Sequence, residues 1–373
     1  MREITPINRK AVLLGFSEKS SVPGPVDELA QLARTAGYEP VGVVLSSLKK
    51  PHPRTYVGKG KLEEIRLVLQ RTGADFLLVD VMLTPSQAKN IEDELSCAVL
   101  DRTGVILEIF SQRAKTSEGK LQVEMARLQY MLPRLVHKGI EMSRLGGIPG
   151  TRGPGEPWLE KHRRKIQRRI QFLRMALEEI RRRRETRRIA RKKAHLPLCA
   201  IVGYTNAGKS TLFHLLTRAD VYIDDRLFAT LDTTTRRLYL PLLQGEILLT
   251  DTVGFIRKLP HSLVEAFRAT LEEVSQADFL LIVVDATWDP AVQLKAVMDV
   301  LKQLKAEDKP RIIACSKIDL LSEDQRQSLL LLFPDSGPDV LFSSVTGEGI
   351  SLLVKRISDM VQSLSLLPAS LGT

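Results

Sequence analysis

The nine residues from Gly203 to Thr211, GYTNAGKST, constrain this chain more than any other stretch. They follow the apolar run LPLCAIV at residues 196–202 and lead into LFHLLTR, so they stand where a strand turns into a helix. Gly203 and Gly208 let the backbone curl until successive N–H groups face one concavity that fits phosphate oxygens. A helix beginning near Lys209 brings its positive dipole end to the same place. Lys209 can reach the β- and γ-phosphates, and the Ser210 hydroxyl can ligate Mg²⁺. The spacing G-x-x-x-x-G-K-S between strand and helix marks a nucleotide phosphate site.

A chain of 373 residues exceeds what one core usually organises, so two or three domains are expected. Its hydrophobic fraction of 43% is that of a globular protein, and no run of about 18 apolar residues exists to span a membrane. The N-terminus, MREITPINRK, lacks the apolar core of a secretory signal. A cytoplasmic location is expected, with peripheral membrane association as the alternative. Cys97, Cys199 and Cys315 lie far apart in or beside apolar runs and read as reduced core residues. The six histidines show no ligand spacing, which argues against zinc.

The net charge of +11 is concentrated. Between Pro157 and His195, 16 Lys/Arg face 4 Asp/Glu, a local charge of +12, so the remainder is close to neutral. The basic balance belongs to one segment, a localised candidate for polyanion binding.

Taken in order, residues 1–115 alternate short apolar runs with helical patterns. Strands are expected at 11–15, 40–45, 75–81 and 98–100, and helices at 26–36, 61–71, 85–94 and 102–113. That alternation predicts a small parallel α/β domain. Within it, Gly58-Lys59-Gly60 reads as a tight loop-to-helix junction, with phosphate binding as the weaker alternative.

Residues 116–195 change period. Leu121, Met125, Leu128, Leu132 and Leu135 step by 4, 3, 4, 3, and so do Ile166, Ile170, Leu173, Leu177 and Ile180. Two such seams joined by the loop GGIPGTRGPGEP predict an antiparallel helical hairpin, kinked near Pro133 and carrying Arg152 in its tip. The runs RRK, RRRRETRR and RKK occupy the rest of the second helix. Few aromatics accompany them, so phosphate contacts would dominate.

Residues 196–365 return to βα order, and 366–373 form a tail. A Thr-rich stretch, FATLDTTTRR, precedes a hairpin of RLYLPLL and EILLTD, whose Pro241 suits an edge strand. Asp251 closes that hairpin in DTVGF, where it can hold Mg²⁺ through water while the Gly254 N–H approaches the γ-phosphate. Further strands are expected at 279–284, 311–316 and 340–343, with helices at 263–273, 291–305, 323–331 and 350–361. The fold expected is a P-loop domain with a mostly parallel sheet and one antiparallel edge strand.

The order GYTNAGKS, Thr-rich segment, DTVG, SKID and SSVTG is similar to that of translation-factor-related GTPases. GYTNAGKSTLF, FATLD, DTVGFIRKLPHSLVEAFRATLEE, RTYVGKGKLEEI and GTRGPGE together resemble the HflX family over nearly all the chain. The resemblance implies a GTPase that uses GTP/GDP and Mg²⁺, binds the large ribosomal subunit and its rRNA, and helps separate subunits. A monomer is expected. The chain ends soon after its last helix, so the extra C-terminal domain that some members carry is expected to be absent.

By motif, the resemblance gives catalysis to Lys209, Thr230, Asp251 and Gly254 and metal binding to Ser210 and Thr230. Nucleotide contacts fall to Gly203, Tyr204, Thr205, Asn206, Ala207, Gly208, Lys209, Ser210 and Thr211. Phe228, Ala229 and Thr230 join them, as do Asp251, Thr252, Val253 and Gly254. Asp319 would accept two donors from the guanine edge, Lys317 would pack along the base, and the Ser344 N–H would meet the guanine carbonyl. Ser316, Ser343 and Val345 complete the base pocket.

Three residues depart from the family pattern: Ser316 where Asn is usual, Val345 for Lys, and Thr233 for Pro. Ser316 is expected to shorten a contact to the phosphate loop. Phe255 stands where Ras-like GTPases carry the Gln that orients water, so slow intrinsic turnover is expected. Asn206 adds K⁺ as a candidate second cation. The rival readings are a nucleotide-gated RNA-binding or ribosome-assembly factor in which hydrolysis is incidental, and an ATPase, against which Asp319 argues.

Overall fold

The computed structural model describes residues 9–16, 26–47, 50–145, 155–193, 196–218, 227–257, 260, 263, 267–331, 333 and 337–366. The chain divides into two compact units, residues 1–112 with 120–177 and residues 113–119 with 178–373.

In the first unit, strands alternate with helices: β1 Arg9–Phe16, α1 Asp27–Thr35, β2 Tyr38–Ser46, α2 Lys59–Thr72, β3 Phe76–Val79, α3 Pro85–Leu95, β4 Ala98–Asp101 and α4 Arg102–Arg113. Parallel neighbours need crossovers, and the helices supply them. The four strands form the expected parallel sheet, in the order β2-β1-β3-β4. Helix α3 starts with a reciprocal cap: Thr84 accepts the Gln87 N–H, Gln87 accepts the Thr84 N–H, and Pro85 opens the first turn. Helix α2 starts two residues earlier than expected, with Gly58 as its cap, and a Cβ at Gly58 or Gly60 would meet nothing within 4 Å.

Charges close the end of this sheet. Arg102, 1% exposed, is paired with both Asp80 and Glu28, which compensates its burial. Asp101 accepts from Arg134 at 2.8 Å and from the Tyr130 hydroxyl at 2.9 Å.

Two long helices follow, α5 Ser117–Leu145 and α6 Gly155–Lys193. Glu124 pairs with Arg169 at 2.7 Å and Glu118 with Arg184 at 2.7 Å, so the later α5 residue meets the earlier α6 residue and the helices run antiparallel. On α6 the expected line is the inward one: Ile170 and Leu173 are buried, Ile166, Leu177 and Ile180 half-buried. Its next step of four is Arg184. On α5 the expected seam needs correction. Leu121, Met125, Leu128, Leu132 and Leu135 are only half-buried, and the deepest residues are Gly119, Gln122, Val123 and Ala126. Gln122 is 1% exposed, and Val123 and Ala126 beside it are 4% exposed each. The helix continues through Pro133 to Leu145. The glycine-rich loop from 146 to 154, with Arg152, lies outside the described residues.

The second unit carries β5 Leu198–Gly203, α7 Lys209–Thr217, β6 Thr234–Leu240, β7 Gly245–Asp251, α8 Arg268–Gln276, β8 Phe279–Asp285, α9 Pro290–Gln303, β9 Arg311–Ser316, α10 Glu323–Leu331, β10 Val340–Leu341 and α11 Ile350–Ser363. The sheet order is β10-β9-β8-β5-β7-β6, parallel except for the β6 edge. Strands β5 and β8 are buried along their whole length, as unbroken apolar runs covered on both faces should be. Strand β6 stops at Leu240, short of the expected 243, because Pro241 has no N–H to continue the ladder and opens a 3₁₀ turn, Pro241–Leu243. Loops leaving the C-terminal ends of β5, β7, β8, β9 and β10 meet at one edge of this sheet, where open α/β sheets bind ligands.

No described helix is long and apolar enough to cross a membrane. Among the described residues no cluster of three or more His, Cys, Asp or Glu is placed to hold a metal, and the three cysteines are unbridged.

Candidate functional site

The loop between β5 and α7 takes its shape from its own residues. Asn206 (φ 62°) and Gly208 (φ 84°) are left-handed, a conformation glycine adopts freely and asparagine tolerates. A Cβ at Gly203 would lie 2.2 Å from the Val283 carbonyl oxygen on the neighbouring strand, so no side chain fits there. The following DTVGF segment is docked directly onto the loop. Thr205 N–H donates to Phe255 O at 2.7 Å, and Phe255 N–H donates to Gly203 O at 3.0 Å. Phe255 itself is 1% exposed within the core of this unit. The Tyr204 ring packs edge-on against Trp288, and its hydroxyl accepts the Arg257 N–H at 3.0 Å, so this side chain holds the loop in place.

One cleft joins Thr205, Asn206, Gly208, Lys209, Ser210 and Thr211 to Phe228, Ala229 and Thr230, with Thr252, Gly254 and Lys317 completing its wall. At its floor three oxygens converge: Ser210 Oγ lies 2.6 Å from Thr230 Oγ1 and 2.7 Å from Asp251 Oδ2. Asp251 is 1% exposed, and its Oδ1 has no hydrogen-bond partner among the described residues. Burial pushes its pKa up, opposed by the Lys209 charge. A buried carboxylate oxygen without a partner, beside two hydroxyls, fits a small hard cation such as Mg²⁺. Bound there, Mg²⁺ would neutralise charge on the phosphates.

Lys209, 5% exposed, donates to Tyr204 O at 2.7 Å, and burial lowers its pKa to about 8 against the pull of Asp251. Across the cleft, Thr205 Oγ1 is buried without a partner among the described residues. A Cβ at Gly254 would stand 2.9 Å from Thr205 Cα and 3.0 Å from Lys209 Nζ, so glycine is what allows this approach. Thr252 lines the cleft with its hydroxyl donating to Ile201 O at 2.6 Å, and Val253 beside it is buried. Phe228 is buried with φ 55°, turning the chain just before Thr230.

The remaining site residues stand on the loops after β9 and β10. The Ser316 hydroxyl lies 2.8 Å from Ala207 O and 3.1 Å from Val284 O, so the shorter side chain still reaches the phosphate loop. Lys317, left-handed at φ 61°, places its Nζ 2.6 Å from Asp285 Oδ2. Asp319 sits half-buried in the 3₁₀ turn Ile318–Leu320, outside the phosphate cleft. Ser343 is fully buried, and its Oγ accepts the N–H groups of Val345 and Thr346, shaping the last loop. Ser344 is half-buried, and Val345 is 83% exposed.

Two acidic residues escaped the sequence reading. Asp285 closes the strand FLLIVVD and pairs with Lys317; a carboxylate at the end of a buried strand was the available signal. Asp232, inside the quoted FATLD, bonds to residues more than a hundred positions away.

Three family models match in succession: "GTP-binding GTPase N-terminal" over residues 24–111, "GTP-binding GTPase Middle Region" over 113–191, and "50S ribosome-binding GTPase" over 198–317. The chain is 50% identical over 322 residues to a GTPase HflX of Caldanaerobacter subterraneus subsp. tengcongensis, covering 86% of this chain and 75% of the relative. To the GTPase HflX of Escherichia coli (strain K12) it is 45% identical over 336 residues, covering 90% and 78%. The crystal structure of a protein called SsGBP in complex with GDP matches with a TM-score of 0.50 at 27% identity, over 96% of this chain and 99% of that one. Identity at this level across most of both sequences shows the family: the chain belongs to the HflX family of GTPases, and its reaction is GTP hydrolysis.

Proposed function

We propose that this GTPase binds the large ribosomal subunit and couples its nucleotide state to that binding and to subunit separation. The observation that carries the proposal is the surface of α6. Lys161, Lys165, Arg168 and Arg174 are exposed and have no acidic partner among the described residues, so their charge is available to rRNA phosphates. The matching model's description, a 50S ribosome-binding GTPase, supports the same partner.

Within the site, Lys209 would hold the β- and γ-phosphates, Ser210 and Thr230 would ligate Mg²⁺, and Asp251 would hold it through water. The Gly254 N–H would meet the γ-phosphate. Asp319 would read the guanine edge, with Lys317 packed along the base and the Ser344 N–H on its carbonyl. Phe255 is buried, so no side chain at that position orients the attacking water, and intrinsic hydrolysis is slow until the ribosome supplies what is missing. Asn206 adds K⁺ as a charge-stabilising cation beside the phosphates.

The test is the hydrolysis rate with and without large subunits, in KCl and in NaCl at matched ionic strength. The proposal expects stimulation by subunits and a faster rate in KCl. Equal rates with and without subunits would favour an RNA-binding factor whose hydrolysis is incidental. Equal rates in the two salts would remove K⁺.

A further inference from the structure

The segment that carries Thr230 is fastened, two residues on, to the start of α5. Asp232 Oδ2 accepts the N–H groups of Lys115 and Thr116, both at 2.9 Å, while its Oδ1 accepts the Thr116 hydroxyl. Thr116 Oγ1 in turn accepts the Gly119 N–H at 3.0 Å, capping the first turn. A Cβ on Gly119 would fall 2.3 Å from Asp232 Oδ1, so the carboxylate enters only because that position is glycine. A negative charge is also favoured there by the N-terminal end of the helix dipole.

The same end of the helical pair is held at further points within this unit. Arg184 of α6 pairs with Glu118 at 2.7 Å, and Arg181 pairs with Glu272 of α8 at 3.2 Å. The helix start that grips Asp232 is therefore itself anchored.

We infer that Asp232 is a positioning residue for GTP binding. It holds Thr230 against Ser210, 2.6 Å away, by tying the end of the Thr230 segment to the base of α5. A partner that shifts that base then acts on Thr230 through Asp232, and γ-phosphate binding acts on the base in return, since coupling between sites is reciprocal. This rests on the reading of Thr230 as a Mg²⁺ and γ-phosphate residue. On that reading Thr230 would contribute to GTP binding and not to GDP binding, so loss of the anchor should be felt by one nucleotide only.

The experiment measures affinities of the full-length chain for GDP and for a non-hydrolysable GTP analogue with Mg²⁺, in Asp232→Ala, Thr116→Val, the double variant and Thr230→Ala. Asp232→Asn, which keeps a carbonyl acceptor, serves if the alanine variant fails to fold. Asp232→Ala should lose roughly tenfold in analogue affinity and keep GDP affinity within about twofold, because hydrogen bonds to a charged group are the strong ones. Thr116→Val should add little to Asp232→Ala, since both act through one anchor. Equal weakening of both nucleotides would make Asp232 a general structural residue and overturn the inference. Selective loss in Thr230→Ala with none in Asp232→Ala would also overturn it, leaving the Thr230 reading intact. No selective loss in Thr230→Ala would overturn that reading, and this inference with it.

Discussion

Lys209 combines near-complete burial with a charge whose natural partner is a phosphate. Burial lowers its pKa to about 8, and phosphates beside it would favour the protonated form. Below about pH 8 the lysine is charged with or without nucleotide, and it contributes no pH dependence to binding. Above that value the free protein must take up a proton to bind, so affinity should fall as pH rises, by up to about tenfold per pH unit. GDP titrations from about pH 7 to about pH 9 will show the decline, and a flat profile would mean that Lys209 does not carry the phosphate contact. Asp319, the proposed reader of the guanine edge, sits outside the phosphate cleft in a half-buried turn. Asp319→Asn should weaken GTP and improve xanthosine triphosphate binding, because the amide presents a donor where the carboxylate accepted. Unchanged preference between those two nucleotides in a competition assay would relocate base recognition.

Among the elements, α6 was half legible. Its inward line followed from spacing, but its arginines do not act as one patch. Arg181, Arg182, Arg183 and Arg184 stand together in the run RRRRETRR, which by sequence reads as part of one polyanion-binding surface. Instead Arg181 pairs with Glu272 and Arg184 with Glu118, so substituting all four would disturb the base of the helical pair. The exposed set is the cleaner probe. With Lys161, Lys165, Arg168 and Arg174 changed to Gln, the slope of log K against log[salt] for large subunits should flatten by about 3, at roughly 0.7–0.9 per lost phosphate contact. An unaltered slope would make this surface a solvated helix face. The phosphate loop and DTVGF were legible because each is contiguous and its sterically demanding positions fall on Gly203, Asn206, Gly208 and Gly254. The α5 seam was misplaced because the 4, 3 steps pick out the large apolar residues, whereas the buried positions are Gly119, Gln122, Val123 and Ala126. The Asp232 anchor could not be read at all, since its partners are 116 and 117 residues distant and no local pattern joins them.

For the whole molecule, the account makes nucleotide state and ribosome binding two readings of one switch. The Ser210, Thr230 and Asp251 oxygens would register the γ-phosphate through Mg²⁺, Asp232 would carry that state to the base of α5, and the exposed face of α6 would meet the rRNA. If those links hold, affinity for the large subunit must depend on which nucleotide is bound. The direct measurement is co-sedimentation of the full-length chain with large ribosomal subunits in the presence of a non-hydrolysable GTP analogue, GDP or no nucleotide. The account predicts most protein in the pellet with the GTP analogue and clearly less with GDP or none. Equal pelleting in all three states would contradict it.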